Sequence, residues 1–306
     1  MKQHFPAASV DSICRLFGKS RQAFYQHLTR EADSAMEEAF VINMVKATRS
    51  DMPRIGSLKL HFLLRSRFED HHITMGRDRF CALLRANDLM VKTRRKYLIP
   101  RTTNSDHPYR KWPDLTPGLV VSRAGQLWVS DITYVRTKED GFVYLSLVTD
   151  AFSRKIVGHH LSHTLSARGA LSALNKAIAA LGEGCRVVHH SDRGIQYCCG
   201  QYVSRLKEEG IAISMTQSGS PYENAQAERV NGILKTELGL NAEFSSYRAA
   251  LQGVAKAIDT YNRLRPHMSC GMLTPHQAHG QSAPGPGVRR PVRPLVLKGC
   301  KPKSVH

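Results

Sequence analysis

The sequence has little that would tie it to a membrane or to an oxidising compartment. No apolar run approaches the roughly 20 residues of a membrane span, and Met1 to Val10 lacks the apolar core of a secretory signal. The seven cysteines (Cys14, Cys81, Cys185, Cys198, Cys199, Cys270 and Cys300) are an odd number and include no C-x-x-C pair. Neither a disulfide framework nor a zinc knuckle is indicated, and the expected setting is reducing and cytoplasmic. Acids are also scarce, with 25 Asp and Glu against 44 Lys and Arg, a net charge of +19. Such an excess bears on partners and not on fold: nucleic acid or an anionic membrane surface. Hydrophobic residues at 42% still describe a chain with a sizeable core. Its 306 residues suggest two or three domains. There is no internal repeat.

The positive charge is unevenly spread. Residues 1–120 carry 21 Lys and Arg against 12 acids, residues 121–259 carry 15 against 13, and residues 260–306 carry 8 against none. A nearly neutral middle between basic flanks implies separate jobs for separate parts.

Residues 11–29 read as two short helices. Ile13, Leu16 and Phe17 fall at helical spacing, Gly18-Lys19 breaks the run, and Ser20 is a suitable N-cap for a helix with Phe24, Tyr25 and Leu28 on its apolar face. Helix, Gly-containing turn, helix is the helix-turn-helix outline. Arg21, Gln22 and Gln26 would then point outward, and these types read base edges or phosphates. An ordinary helical hairpin fits the same residues equally well. Ser34 with Glu37 predicts a capping box and a separate helix over 35–48, another helix is expected over 55–66, and Thr74 to Asn87 suggests a second helix-turn-helix. Residues 91–120 form a basic linker, with Lys92, Arg94, Arg95, Lys96, Arg101, Arg110 and Lys111 among Pro100, Pro108, Pro113 and Pro117. Arg94, Arg95 and Lys96 are expected phosphate contacts.

The pattern changes at Gln126. Leu127–Val135, Phe142–Thr149 and Arg154–Leu161 read as an antiparallel meander with an Asp140-Gly141 turn. A helix over Ser166–Leu181, a strand Arg186–His190, a helix Tyr202–Glu209 and a strand Ile211–Met215 follow, then helices from Tyr222 to about Leu238 and over about 246–264. This predicts a mixed α/β sheet of five strands in a domain spanning 121–280. Residues 281–306, with Pro284, Pro286, Pro291 and Pro294 among Arg and Lys, read as a disordered basic tail.

Three acids stand out. Asp131 lies inside the first strand, Asp192 follows the short strand ending His189-His190, and Glu228 sits early in the Tyr222 helix. An acid in a core strand is expensive unless paired or bound to metal. Val230, Ile233 and Leu234 face the sheet, while Glu228, Asn231, Gly232 and Lys235 share another side at spacings of three, four and seven. One helical carboxylate can therefore complete a cluster. Three hard oxygen donors suit Mg²⁺ or Mn²⁺, and two such ions stabilise the entering and leaving oxygens of a phosphoryl displacement. Taken singly, each acid is better explained as an ordinary strand-end or helix-start residue; three with matching context in a basic protein shift the balance. Asp150 is expected to cap a turn or pair with Arg154. Strand alternation predicts one of His189 and His190 in the core and the other outside, both structural.

At this point the chain resembles a known family. The segments are Trp128-Val129-Ser130-Asp131-Ile132-Thr133-Tyr134, Val148-Thr149-Asp150-Ala151-Phe152-Ser153-Arg154, His190-Ser191-Asp192-Arg193-Gly194-Ile195-Gln196-Tyr197, Asn224-Ala225-Gln226-Ala227-Glu228, and Tyr261-Asn262-Arg263-Leu264-Arg265-Pro266-His267 with Thr274-Pro275. They are similar to the D-D-E transposases and integrases, and more closely to the second-frame transposase of the IS3 family of bacterial insertion sequences. Glu223 departs from the Asp usual before the Asn-Ala pair.

The resemblance implies a ribonuclease-H-like mixed sheet behind an N-terminal all-α helix-turn-helix region over 1–90. It implies that Asp131, Asp192 and Glu228 bind two Mg²⁺ or Mn²⁺ ions and catalyse DNA strand cleavage and strand transfer at element ends. Lys235 becomes an expected phosphate or end-DNA contact, and Asn224 and Asn231 are expected as accessories to the site or DNA contacts. The implied partners are double-stranded DNA, as terminal inverted repeats and target, a homo-oligomer on that DNA, and an upstream-frame partner or fusion. The implied location is the nucleoid. The alternative is a catalytically silent DNA-binding regulator of the same descent.

Overall fold

In the computed structural model, residues 9–92, 107–182, 186–217 and 224–281 are described, with the backbone of 295–296. The chain divides into two compact units, Met1–Ser50 with Gly56–Lys92, and Asp51–Ile55 with Thr93–His306. No helix among the described residues is long and apolar enough to cross a membrane.

The first unit is all helical: α1 (Val10–Leu16), α2 (Arg21–Asp51), α3 (Ser57–Asp70) and α4 (Arg77–Ala86). Gly18, at φ +60°, makes the turn after α1, and the Ser20 hydroxyl accepts the Ala23 N–H at the start of α2. The separate helix expected over 35–48 does not exist, because α2 runs unbroken for 31 residues. Neither Gly nor Pro occurs between Lys19 and Met52, so nothing interrupts the helix. Ser34 lies inside it and accepts from Arg79 instead of capping. Only the second half of α2 is well buried, through Val41, Met44 and Val45. The core of this unit adds Leu60, Leu64 and Phe68 of α3 and Phe80, Leu83 and Leu84 of α4. The apolar face expected from Tyr25 and Leu28 is exposed.

The second unit begins its sheet structure at β1 (Val120–Val121), then β2 (Leu127–Thr137), β3 (Gly141–Asp150) and β4 (Ile156–Ser162) as the expected meander. α5 (Ala167–Ala179), β5 (Val188–Ser191), α6 (Ile195–Cys198), α7 (Gly200–Glu208) and β6 (Ala212–Met215) follow. Then come α8 (Ala225–Thr236), β7 (Glu243–Phe244), α9 (Tyr247–Arg263), α10 (Pro275–Gly280) and β8 (Leu295–Val296). The order across the main sheet is β4-β3-β2-β5-β6, with β7 added beside the end of β2. β2 to β4 are antiparallel, and β5 and β6 run parallel to β2. The five expected strands thus form the ribonuclease-H-like mixed sheet, and β7 is a short sixth. Part of the tail expected to be disordered is not: Leu295–Val296 pairs with β1.

Helices cover both faces. On one, Trp128, Ile132 and Val148 pack against Ala170, Leu174 and Ala177 of α5 and Tyr202 and Leu206 of α7. On the other, Val135, Val143, Leu145 and Leu147 meet Val230, Ile233 and Leu234 of α8 and Val254, Ile258 and Tyr261 of α9. α5 lies so close to β4 that a Cβ on Gly158 would stand 2.1 Å from the Ala173 carbonyl oxygen.

Two polar ties hold the second layer. Asn262 of α9 accepts the Ile156 N–H and donates to the Ile156 carbonyl, closing the start of β4 as a neighbouring strand would. Arg265, only 1% exposed, donates two charge-assisted bonds of 2.8 and 2.9 Å to Glu237 just beyond α8. Removing one partner of such a pair leaves a buried charge uncompensated. R265A is expected to lower unfolding free energy by about 3–5 kcal/mol in urea titrations, and R265M/E237L to recover much of it.

Candidate active site

The pairing of β2 with β5 decides where the acids lie. Trp128 pairs with His189 and Val129 with His190 in a parallel ladder. Two residues farther along each strand stand Asp131 and Asp192. Because side chains alternate with period two, Asp131 emerges on the face of Val129, where Ala227 of α8 packs. Glu228 is the next residue on that helix, at its exposed edge.

The three carboxylates interact. Desolvation raises the Asp131 carboxyl to about 7, the negative charge of Asp192 and then of Glu228 pushing the same way against the N–H of Ile132 and the amide of Asn231. Desolvation also raises Glu228. Among the described residues, however, no three His, Cys, Asp or Glu side chains are grouped closely enough to hold a metal ion. The acids are electrostatically coupled without forming a closed set of ligands. The donor chemistry still fits a hard divalent cation: oxygen only, with a carboxylate whose ionised form lacks a positive neighbour strong enough to keep its pKa low.

Short hydrogen bonds aim these groups. The Asn231 amide donates to Asp131 Oδ2 at 2.7 Å, and the Ile132 N–H to Oδ1 at 2.9 Å. The Gly194 N–H donates to Asp192 Oδ1 at 3.0 Å, and a Cβ on Gly194 would come within 3.0 Å of that oxygen. Asn224, at the start of α8, donates to the Ser130 carbonyl at 3.1 Å. Asn231, expected as an accessory to the site or a DNA contact, is engaged with Asp131. Lys235 is not displayed as a surface charge either: its ammonium lies 3.4 Å from the centre of the Tyr134 ring. Burial lowers it to about 8, against the pull of Asp131.

Arg21, Gln22 and Gln26 are exposed on the first turns of α2. Arg94, Arg95 and Lys96 lie outside the described residues. Asp150 caps its turn and does not pair with Arg154. Its carboxylate accepts the Ser153 N–H and hydroxyl and the Gly125 N–H. Burial pushes this carboxyl up, and His279 with those N–H groups pulls it below the ordinary value.

Sequence reasoning did not find the polar cluster behind Asp131. His189 Nε2 lies 2.7 Å from the Ser130 hydroxyl and 2.9 Å from the Tyr202 hydroxyl. His190 Nδ1 lies 2.8 Å from the Ser214 hydroxyl. Both histidines are buried, contrary to the expected one-in, one-out alternation, because β5 is an inner strand with Tyr202 of α7 over His189 and Asp114, from the segment before β1, beside His190.

Residues 121–221 match the family model of an integrase core domain, and residues 209–275 match a second integrase core domain model. A 31 kDa protein of insertion element IS600 from Shigella sonnei is 30% identical over 267 residues, covering 86% of this chain and 96% of that protein. The transposase InsF of insertion sequence IS3A from Escherichia coli (strain K12) is 30% identical over 283 residues, covering 90% of this chain and 96% of that protein. Among solved structures, the HTLV-2 integrase catalytic core domain is 21% identical, covers 54% of this chain and 99% of that one, and has a TM-score of 0.40.

The buried imidazole gives a pH signature. Desolvation lowers His189 from 6.5 to about 3, with His190 adding to the effect. Below pH 6.5 the unfolded chain takes a proton that the folded chain refuses, so stability falls with pH. Asp131 acts in the opposite sense, because its raised value lets the folded state protonate first. Comparison with H189Q isolates the imidazole. The urea midpoint of the parent, measured from pH 7 to 5, is expected to fall more steeply than that of H189Q. Parallel curves would remove His189 as the source.

Proposed function

The chain belongs to the IS3 family of insertion-sequence transposases, built on an integrase core, and we propose that Asp131, Asp192 and Glu228 are the carboxylates with which it cuts and joins DNA. The observation that carries this reading is the level placement of Asp131 and Asp192 on adjacent parallel strands, with Glu228 on the helix packed over the same face.

Asp131, Asp192 and Glu228 would together hold Mg²⁺ or Mn²⁺, which activates water or a 3′-hydroxyl and stabilises the leaving oxygen of a phosphodiester when bound. The remaining work falls to the chain itself. Asn231 and the Ile132 N–H fix both oxygens of Asp131, so its carboxylate is oriented before substrate arrives. Gly194 leaves room for its own N–H to orient Asp192. Asn224 fastens the start of α8 to β2, which sets the distance from Glu228 to the pair. Lys235 swings from the Tyr134 ring to a DNA phosphate. The neutral middle of the sequence agrees with a site whose positive charge arrives with its ions.

The substrate in this reading is double-stranded DNA, as the terminal inverted repeats of the element and as target, handled by a homo-oligomer. An upstream-frame product, separate or fused, is a further partner. The helical unit reads the repeats through Arg21, Gln22 and Gln26, while Arg94, Arg95 and Lys96 grip phosphates from the linker. Residues 281–306 add six cations and no acid, suited to contacts along the DNA backbone.

D131N, D192N and E228Q are each expected to reduce Mg²⁺-dependent strand transfer to background while leaving affinity for element ends within about twofold, because the loss falls on the chemical step. Strand transfer at the parent rate in any one of them would remove that residue from the catalytic set. A parent chain that binds the ends without breaking them would favour the silent regulator. Deleting residues after Gly280 should flatten the salt dependence of DNA binding, and an unchanged slope would show that the tail cations do not touch DNA.

A further inference from the structure

From His107 onward, the segment expected as a linker lies against the core. The Pro113 carbonyl accepts the Met215 N–H at 3.3 Å on the outer edge of β6, and the Leu115 N–H donates to the Ser214 hydroxyl at 2.9 Å. The Gln217 amide donates to the Trp112 carbonyl at 3.3 Å. The Trp112 ring carries the Arg110 guanidinium at 4.3 Å and the Lys207 ammonium at 5.4 Å. These contacts cover a sheet edge that would otherwise present unpaired backbone groups.

The segment reaches farther than edge protection requires. His107 is half-buried, whereas Pro108, Tyr109, Arg110 and Lys111 are exposed. Its Nε2 lies 2.8 Å from the carbonyl oxygen of Arg193, the residue after Asp192. A carbonyl oxygen only accepts, so Nε2 carries the proton and donates. Nδ1 is buried and has no partner among the described residues, so the bond to Arg193 is the one that orients the ring.

The peptide group that receives this bond is the one that aims Asp192. Its carbonyl belongs to Arg193 and its N–H to Gly194, and that N–H donates to Asp192 Oδ1 at 3.0 Å. A trans peptide is planar, with its C=O and N–H pointing opposite ways, so a fixed carbonyl fixes the N–H. Polarisation works in the same sense, because a carbonyl that accepts a hydrogen bond makes its N–H a stronger donor. The rest of the turn is tied toward β6. Arg193 Nε donates to the Thr216 carbonyl at 2.6 Å, the Thr216 N–H to the Ser191 carbonyl at 3.0 Å, and the Ser191 hydroxyl to the Asp192 carbonyl at 3.0 Å. None of these three bonds involves the Arg193–Gly194 peptide group, which His107 holds.

We infer that His107 is a positioning residue for Asp192: by donating to the Arg193 carbonyl it sets the peptide whose N–H orients that carboxylate, and so makes the docked linker part of the active site. The inference rests on the reading of Asp192 as one of the acids that cut and join DNA.

Strand transfer, affinity for element ends and amide exchange, all on the full chain, test it. H107A should lower Mg²⁺-dependent strand transfer about 10–100-fold, the range for partners that orient a metal-binding group. Its affinity for element ends should stay within about twofold of the parent. H107Q places an amide nitrogen near the position of Nε2 and should transfer within about threefold of the parent. H107N, one methylene shorter, should behave as H107A. By NMR on the chain without DNA or metal, the Gly194 amide should exchange with solvent about tenfold faster in H107A and H107N than in the parent and H107Q, as expected for a weakened hydrogen bond. The Thr216 amide should keep its rate, whereas a general loss of stability would speed both.

An unmoved Gly194 amide in H107A overturns the assignment, as does transfer by H107A at the parent rate or an H107Q no better than H107N. D192N separates this from failure of the wider reading. Transfer by D192N at the parent rate overturns the role of Asp192 and this inference with it. A silent D192N beside an H107A at the parent rate overturns His107 alone.

Discussion

The backbone pairing of Leu127–Val129 with Val188–His190 governs the chemistry of this molecule. A parallel ladder carries both strands in one direction, so residues equally far past the last pair arrive at the same edge of the sheet together. Asp131 and Asp192 are such residues. An antiparallel neighbour in that place would carry its chain away from Asp131. The crossover that makes β5 parallel, through α5, is therefore a precondition of the site, and Gly158 matters to it: only a residue without a Cβ lets α5 lie on β4 as closely as it does.

Bringing two carboxylates together inside a protein opposes folding, and the surrounding structure shows how the cost is contained. Asp131 receives one backbone and one amide donor, and among the described residues no Lys or Arg forms an ion pair with it, so its charge is oriented without being cancelled. Lys235 is close enough to be felt by Asp131, yet its ammonium is spent on the face of Tyr134. The contrast with Asp150 is informative. That carboxylate is more fully buried, but three donors and His279 satisfy it, and its value falls. One acid of β3 is made a structural anion, while one acid of β2 is left without a compensating charge. The environment, and not the residue type, separates the two roles.

Much of this was legible beforehand, for identifiable reasons. The meander declared itself through β-branched runs around Asp140-Gly141, because hairpins are set by local sequence. The face of α8 was readable from Val230, Ile233 and Leu234, because helical spacing is local too. What failed depended on distant packing. Ser34 and Glu37 spell a capping box, yet no breaker precedes them, and Arg79, forty-five residues later, takes the Ser34 hydroxyl. His189 and His190 alternate as any strand does, but Tyr202 of α7 over one and Asp114 beside the other, both distant in sequence, make both inward.

The exposed half of α2 shows the limit of the same reasoning in the other direction. Tyr25 and Leu28 have the spacing of a buried helix face, and periodicity alone assigns them to a core. Periodicity reports that a face must be covered, and it is silent on whether the cover comes from the same chain.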